Sequence, residues 1–228
     1  MADNRDDPTR REPPPPLPDH LEFPQLPPNT LCGGPVAKYR AGNPARTLLY
    51  YLPGMGGRVN AGLGEALASR GGLVEGREQS GDFRQYDFQT QIDTVRTDLR
   101  ERHWNPSARV VAHSYGAYLL LHALASLAPF PGKMLLLSPI VGAFEDEASL
   151  RSFVPPRADR LLKQAEAGQY PAPTRCEIHV GSEDWQSNPV AVTRFGELLG
   201  IRVTVVPGAD HALPKDYVAR VLDGFFAD

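Results

Sequence analysis

The sequence predicts an α/β protein built on a mostly parallel sheet with helices on both faces. Short apolar runs alternate along the chain with segments whose apolar residues recur every three or four positions, which is the pattern of βαβ units. The apolar runs are nearly continuous, as expected for central parallel strands that are covered on both sides. These two observations favour one sheet held between two layers of helices.

The first half of this pattern runs from residue 36 to residue 127. Strands are predicted at residues 36–40 (a short edge strand), 46–52, 72–76 and 109–112, and helices at residues 61–70, 88–103 and 115–127. In the helix at 88–103 the apolar residues Ile92, Val95 and Leu99 share one face. Asp87 precedes that helix and is placed to cap its first turn.

The second half of the pattern contains a long interruption between two strands. Strands are predicted at residues 133–138, 176–180 and 201–206, and helices at residues 144–153, 158–167, 189–199 and 216–226. The helices at 144–153 and 158–167 both lie in the stretch 139–174, which has no predicted strand. We therefore expect an insertion at residues 139–174 within the main domain, which spans residues 31–228.

The first 30 residues differ in composition from the rest. Nine of the 23 prolines of the chain fall within the first 28 residues, so residues 1–30 are predicted to form an extended or disordered tail. Arg10, Pro13 and Pro16 fit a polyproline ligand pattern. The tail is interpreted as a solvated linker, with recruitment of a protein partner as the alternative.

Charge and cysteine content exclude several classes of protein. The formal net charge is −3 and there is no basic stripe, so a nucleic-acid partner is not expected. Cys32 and Cys176 form no Cys-x-x-Cys pair and the histidines lack metal-ligand spacing, so no metal is expected. The N-terminus has no apolar segment of the kind found in secretory signals. These features predict a cytoplasmic protein.

Residues 110–132 are long enough to be considered as a membrane span. This stretch of 23 residues has no Lys, Arg, Asp or Glu. However, it contains His113, Ser114, His122 and Ser126, which a span facing lipid would have to bury. The stretch is therefore predicted to be a buried strand followed by a buried helix.

A serine stands between the predicted strand at 109–112 and the following helix. Reactive groups of parallel sheets lie at the C-terminal ends of the strands. Ser114 is at such an end, with Ala112 two residues before it and Gly116 two residues after it. Small flanking residues allow a tight strand-to-helix turn that projects the serine hydroxyl above the sheet.

This segment resembles the nucleophile elbow G-x-S-x-G of the α/β-hydrolase superfamily, with Ala112 in place of the first glycine. The resemblance implies that Ser114 is a nucleophile. It also implies a triad acid after the penultimate strand, where Asp184 is favoured over Glu183 by its spacing from Gly181. The general base is then His211, in the loop after the last strand. The chain order Ser, Asp, His is that of the superfamily.

Each of these residues also has a simpler interpretation. Ser114 could cap the helix that follows it, and Asp184 could cap a turn. His211 could be an ordinary loop histidine. His113 is interpreted as a packing residue, because its side chain points away from the serine hydroxyl if the segment is strand-like.

The loop after the strand at 46–52 resembles the loop of the superfamily that supplies half of the oxyanion hole. The resemblance implies that the backbone N–H groups of Met55 and Tyr115 face the oxyanion. The glycines of this loop do not form a dinucleotide motif, because Val59 occupies the position of the third glycine, and the chain has no Gly-Lys-Ser/Thr of a phosphate-binding loop. A plain glycine turn is the alternative.

The resemblance further implies that the stretch 139–174 forms a short cap over the site. Phe144, Phe153 and Trp185 are candidates to line a substrate pocket, or else are ordinary core aromatics. The predicted function is a serine hydrolase that cleaves a small-molecule carboxylic ester or thioester through an acyl-enzyme on Ser114, with no cofactor. Acyl transfer, amide or C–C bond cleavage, perhydrolysis, or a catalytically silent binding module are the alternatives.

Overall fold

Seven strands form one sheet in the computed structural model, which describes residues 36–40, 46–142 and 155–227. The strands are β1 (Ala37–Tyr39), β2 (Thr47–Leu52), β3 (Gly72–Gly76), β4 (Arg109–His113), β5 (Lys133–Leu137), β6 (Arg175–Gly181) and β7 (Arg202–Val206). Their order across the sheet is β1-β3-β2-β4-β5-β6-β7. The edge strand β1 is antiparallel to β3, and the other neighbours pair in parallel. The predicted mostly parallel sheet is therefore confirmed.

The helices fill the connections between strands. They are α1 (Leu63–Ser69), α2 (Asp82–Gln85), α3 (Phe88–Asp98), α4 (Tyr115–Leu124), α5 (Arg160–Glu166), α6 (Pro189–Leu199) and α7 (Lys215–Ala227). Asp87 caps α3 as predicted, since its Oδ1 accepts hydrogen bonds of 3.0 Å from the N–H groups of Gln89 and Thr90.

The apolar core lies in two layers, one on each face of the sheet. Successive residues of a strand point to opposite faces, so Tyr50 and Leu52 join one layer while Leu49 and Tyr51 join the other. Helix α4 packs in the larger layer and every one of its residues is buried. The uncharged stretch 110–132 is therefore a buried strand and a buried helix, as predicted. Within the described ranges, no helix has both the length and the apolar character needed to cross a bilayer.

A buried polar cluster attaches α3 to the sheet. Tyr50 Oη donates a 2.7 Å hydrogen bond to Asp98 Oδ2, and Arg77 donates to both carboxylate oxygens of Asp98, at 2.6 Å and 2.7 Å. All three side chains are almost fully buried. A buried ion pair of this kind is destabilised strongly when one partner is removed, because the remaining charge is left without compensation.

Apart from shifts of one or two residues at element ends, the observed elements differ from the predicted ones in three places. Helix α2 was not predicted, because a single turn shows no apolar periodicity. The helix predicted at 88–103 changes after Asp98 to a π-helical turn, Leu99–His103. Helix α4 ends at Leu124 instead of 127. The helix predicted at 144–153, the tail at 1–30 and Cys32 lie outside the described residues.

Candidate active site

Ser114 occupies a sharp turn between β4 and α4. Its φ of 53° and ψ of −122° are values that side-chain-bearing residues rarely adopt, so its backbone is strained. The turn requires a small residue two positions later, because a Cβ at Gly116 would lie 2.3 Å from the backbone oxygen of Leu52 and 2.4 Å from that of Pro53. The local sequence therefore allows the helix to begin directly against the end of β2.

Three side chains predicted from the sequence meet above the end of β4. Ser114 Oγ lies 2.7 Å from His211 Nε2. His211 Nδ1 lies 2.9 Å from each carboxylate oxygen of Asp184. Asp184 follows β6 and His211 follows β7. The parallel sheet therefore brings His211 together with Ser114, which is 97 positions away in the chain, and with Asp184, which is 27 positions away. The arrangement is a continuous line of hydrogen bonds from hydroxyl to imidazole to carboxylate.

Asp184 is buried and surrounded by hydrogen-bond donors. Its Oδ1 accepts from the N–H groups of Gln186 at 2.9 Å and Ser187 at 2.8 Å, in addition to the bond with His211. Burial alone would raise the pKa of Asp184, but the hydrogen bonds from His211, Ser187 and Gln186 outweigh it and hold the pKa below its ordinary value. The competing residue Glu183 is exposed, and among the described residues the carboxylate bonded to His211 is that of Asp184.

Gly181 explains how β6 approaches the loop that carries His211. A Cβ at Gly181 would lie 2.2 Å from the backbone oxygen of Ala209 and 2.4 Å from that of Asp210. Only glycine lets the two segments pass at this distance. Gly181, whose spacing to Asp184 favoured that residue in the sequence, is thus also the residue that leaves room for the loop carrying His211.

His113 lies beside the line of hydrogen bonds without belonging to it. Its ring centroid is 5.8 Å from that of His211. Burial first, and the charge of His211 second, lower the pKa of His113 to about 4, although Asp184 and a hydrogen bond with the His211 backbone act in the opposite direction. His113 is therefore neutral at pH 7 and serves as a packing and hydrogen-bonding residue.

The loop after β2 passes close to Ser114. A Cβ at Gly54 would lie 2.9 Å from His113 Nδ1 and 3.2 Å from Ser114 Cβ. The loop can come this close to His113 and Ser114 because Gly54 has no side chain. The segment that follows β3 holds this loop, because Gly56 N–H donates to the backbone oxygen of Gln79 at 2.9 Å and Gln79 N–H donates to that of Gly57 at 3.0 Å.

The two backbone groups predicted to face an oxyanion belong to the loop after β2 and to the first turn of α4. Met55 lies in the loop after β2, and no hydrogen-bond acceptor for its N–H is found among the described residues. Tyr115 begins α4, so its N–H is at the positive end of that helix. The Tyr115 side chain points away from the site, where its hydroxyl donates a 3.1 Å hydrogen bond to Gln91 Oε1 of α3.

Of the three residues predicted to line a pocket, the structure describes only Trp185. Trp185 follows Asp184 and is half exposed, so it lies at the surface next to the triad-like residues and is not part of the core. Phe144 and Phe153 lie outside the described residues. The part of the chain that the structure describes holds no group of three or more His, Cys, Asp or Glu side chains arranged to bind a metal.

Two further serines contact these residues and were not found from the sequence. Ser138 follows β5, and its Oγ lies 3.0 Å from the backbone oxygen of His211. Ser187 donates its N–H to Asp184 and its hydroxyl to the backbone oxygen of Ser138. Ser138 is the last residue of the strand predicted at 133–138, so it lies at the same edge of the sheet as the candidate residues. That position could have identified it from the sequence.

The fold is similar to those of several solved structures at low sequence identity. A monoacylglycerol lipase of Paleococcus ferrophilus has a TM-score of 0.59 and 11% identity, over 85% of this chain and 99% of that one. For a carboxylesterase of Nitrososphaera gargenis the TM-score is 0.55 and the identity 15%, over 84% of this chain and 93% of that one. For the thioesterase domain of the curacin biosynthetic pathway the TM-score is 0.57 and the identity 13%, over 85% of this chain and 99% of that one.

No family model matches the sequence, and no curated protein does. The structural likeness nevertheless extends over nearly the whole length of each of these neighbours, and the neighbours share one fold. The chain therefore has the α/β-hydrolase fold, which confirms the resemblance that the nucleophile-elbow pattern indicated.

Proposed function

We propose that the protein is a serine hydrolase that cleaves a carboxylic ester or thioester of a small molecule. The observation that carries this proposal is the unbroken hydrogen-bonded line in which Ser114 Oγ is 2.7 Å from His211 Nε2 and His211 Nδ1 is 2.9 Å from Asp184. A serine, an imidazole and a carboxylate in this order form the arrangement used for acyl transfer through a covalent intermediate.

In the first half of the reaction Ser114 Oγ attacks the carbonyl carbon of the substrate. His211 Nε2 takes the hydroxyl proton as the new C–O bond forms, and the carbonyl oxygen becomes negatively charged. The N–H groups of Met55 and Tyr115 are proposed to donate hydrogen bonds to this oxygen. The tetrahedral intermediate then collapses, and His211 returns the proton to the leaving alcohol or thiol.

In the second half water hydrolyses the acyl-enzyme. His211 Nε2 accepts a proton from the water as its oxygen attacks the acyl carbon, and then gives the proton back to Ser114 Oγ as the carboxylic acid leaves. Asp184 stays ionised at neutral pH because its pKa is lowered, so it holds the Nδ1–H tautomer and stabilises the imidazolium in both halves.

Ester and thioester substrates are favoured by two considerations. The structures similar to this chain include a lipase, a carboxylesterase and a thioesterase domain. In addition, the exposed side chains of Met55 and Trp185 give apolar surface at the loops that carry the candidate oxyanion donor and the triad acid. Such surface suits an acyl chain or an apolar leaving group.

The test is covalent labelling with a fluorophosphonate probe, combined with turnover of a panel of p-nitrophenyl esters and acyl-CoA thioesters. We expect the wild type to be labelled, and Ser114→Ala to lose labelling and at least about 10³-fold in kcat. Ser182→Ala is the matched control, because Ser182 also follows a strand of the same sheet but contacts Gly208 N–H and not the triad. Labelling that persists in Ser114→Ala contradicts the proposal.

Product analysis separates hydrolysis from the other reactions of this fold. An acyl-enzyme on Ser114 can pass its acyl group to an alcohol, an amine or hydrogen peroxide as well as to water. We expect the carboxylic acid to be the main product when water competes with millimolar amounts of these nucleophiles. Dominant transfer to one of them identifies an acyltransferase or perhydrolase, and the absence of any labelled serine identifies a binding module.

A further inference from the structure

A closed ring of four hydrogen bonds joins the segments that follow β5, β6 and β7. Ser138 Oγ donates to the backbone oxygen of His211 at 3.0 Å. Ser187 Oγ donates to the backbone oxygen of Ser138 at 2.6 Å, and Ser187 N–H donates to Asp184 Oδ1 at 2.8 Å. The 2.9 Å bond between Asp184 and His211 Nδ1 closes the ring. The main chain of His211 is thus tied to Ser138 and the carboxylate of Asp184 to Ser187, and the two serines are bonded to each other.

Three of the four residues of the ring are shielded from solvent. Ser138 is fully buried, Ser187 and Asp184 are almost so, and the side chain of His211 is 17% exposed. A hydrogen bond lost at a buried position is not readily replaced by one to water. The bond to the backbone oxygen of His211 starts from the fully buried Ser138 hydroxyl, so water cannot easily take the place of that donor.

The backbone of Ser138 shows why a hydroxyl-bearing residue stands there. Its φ of 44° lies in the left-handed region, which glycine adopts without steric cost and serine does not. The Ser138 N–H is also fixed, because it donates to the backbone oxygen of His179 at 2.8 Å. Backbone geometry alone would favour glycine at this position, and the bond to His211 is what glycine would lose.

We propose that Ser138 is a positioning residue for His211, and that Ser187 completes its action by holding Ser138 and Asp184 together. This inference rests on the proposed hydrolase function. The Ser138 hydroxyl fixes the main chain of His211, while Asp184 fixes the ring, so that Nε2 stays within reach of Ser114 Oγ throughout the two proton transfers. Loss of the hydroxyl removes one hydrogen bond to the main chain of His211 and leaves the one with His113, so the main chain is held less firmly. A small misplacement of a catalytic base lowers the rate sharply.

Two variants separate the hydroxyl from the backbone strain. Ser138→Ala removes the hydroxyl and keeps the strain, whereas Ser138→Gly removes both. We expect each variant to lose about tenfold in kcat with KM nearly unchanged, because the lost interaction serves the chemical step and not binding. The control Ser182→Ala removes another serine hydroxyl bonded to the β7 loop, at Gly208, and we expect it to keep wild-type kcat.

Proton NMR gives a readout that does not depend on turnover. The Nδ1–H of His211 is bonded to a buried carboxylate, so we expect a separate downfield resonance, which Asp184→Asn removes. In Ser138→Ala and Ser138→Gly this resonance should shift or broaden, while Ser182→Ala leaves it unchanged. Thermal unfolding of each variant checks that the fold is retained.

The outcomes distinguish this inference from the proposed function. Wild-type kcat and an unchanged resonance in Ser138→Ala overturn the positioning role. Loss in Ser138→Ala with full activity in Ser138→Gly also overturns it, because strain and not the hydroxyl would then account for the effect. A wild type with no turnover and no labelled serine refutes the proposed function instead, and the Nδ1 resonance then decides alone whether Ser138 holds His211.

Discussion

His211 Nδ1 lies at the same distance, 2.9 Å, from both carboxylate oxygens of Asp184. One ring nitrogen is therefore shared between two acceptors, and one of them, Oδ1, also accepts two backbone N–H groups. Backbone N–H groups thus hold the carboxylate independently of the imidazole. The orientation of the imidazole follows from this fixed acceptor, and with it the direction in which Nε2 faces Ser114.

Asp184→Asn should abolish most of the activity without unfolding the protein. The amide keeps the shape of the carboxylate, but it can present its NH₂ group to His211 and favour the wrong tautomer. We expect kcat to fall by about 10³- to 10⁴-fold. The exposed neighbour gives the matched control, and Glu183→Gln should keep wild-type kcat in the p-nitrophenyl ester assay. Equal losses in the two variants would remove Asp184 from the proposed triad.

The stability of the protein should depend on pH through Asp184. Its pKa is lower in the folded protein than the ordinary 3.8, so its contribution to the free energy of unfolding is present above pH 3.8 and is lost as pH falls through the folded value. Urea unfolding of the wild type from about pH 6 down to about pH 2 measures this slope, because the contribution is lost below the unfolded value of 3.8. Asp184→Asn should show a shallower slope at the acid end, and identical slopes would contradict the lowered pKa.

Gly116→Ala should prevent or severely weaken folding. Its Cβ would lie 2.3 Å from the backbone oxygen of Leu52, and neither backbone can retreat from the packed sheet. We expect a loss of more than about 3 kcal/mol in the free energy of unfolding. Gly224→Ala in α7 is the control, because a Cβ there meets nothing within 4 Å, and it should stabilise the protein by up to about 1 kcal/mol. A normally stable Gly116→Ala would contradict the described turn.

Asp98→Ala should destabilise the protein through the buried cluster on α3. The change removes the carboxylate that accepts two hydrogen bonds from the buried Arg77 guanidinium and one from the Tyr50 hydroxyl. We expect a loss of about 3–5 kcal/mol, measured by urea unfolding. Asp216→Ala removes a carboxylate from an exposed pair with Arg220 and should leave the unfolding midpoint unchanged. Similar midpoints for both variants would show that the buried pair contributes little.

Much of the fold could be predicted because the signals are local. Apolar runs gave β2, β4 and β5, and the cap at Asp87 gave the start of α3 to the residue. The resemblance to the nucleophile elbow singled out Ser114, Asp184 and His211, and each of them follows a strand predicted from local apolar runs. Their proximity followed from the alignment of parallel strands at a common edge of the sheet.

The remaining features depend on contacts between distant parts of the chain. The Tyr115 ring turns toward Gln91 because α3 packs against α4, which no local pattern reveals. Ser138 carries no motif, and its role requires both its φ of 44° and the loop of His211 to be known. The ring of hydrogen bonds therefore emerges only when the ends of β5, β6 and β7 are seen together.

The strained backbone of Ser114 has a consequence for how the protein can evolve or be engineered. Glycine would adopt its φ of 53° freely, so Ser114→Gly should raise the melting temperature while eliminating any chemistry that depends on the hydroxyl. At position 114, the residue that favours stability is therefore not the residue that carries a reactive hydroxyl. A library selected only for heat resistance would therefore be expected to replace Ser114 with glycine and lose the hydroxyl.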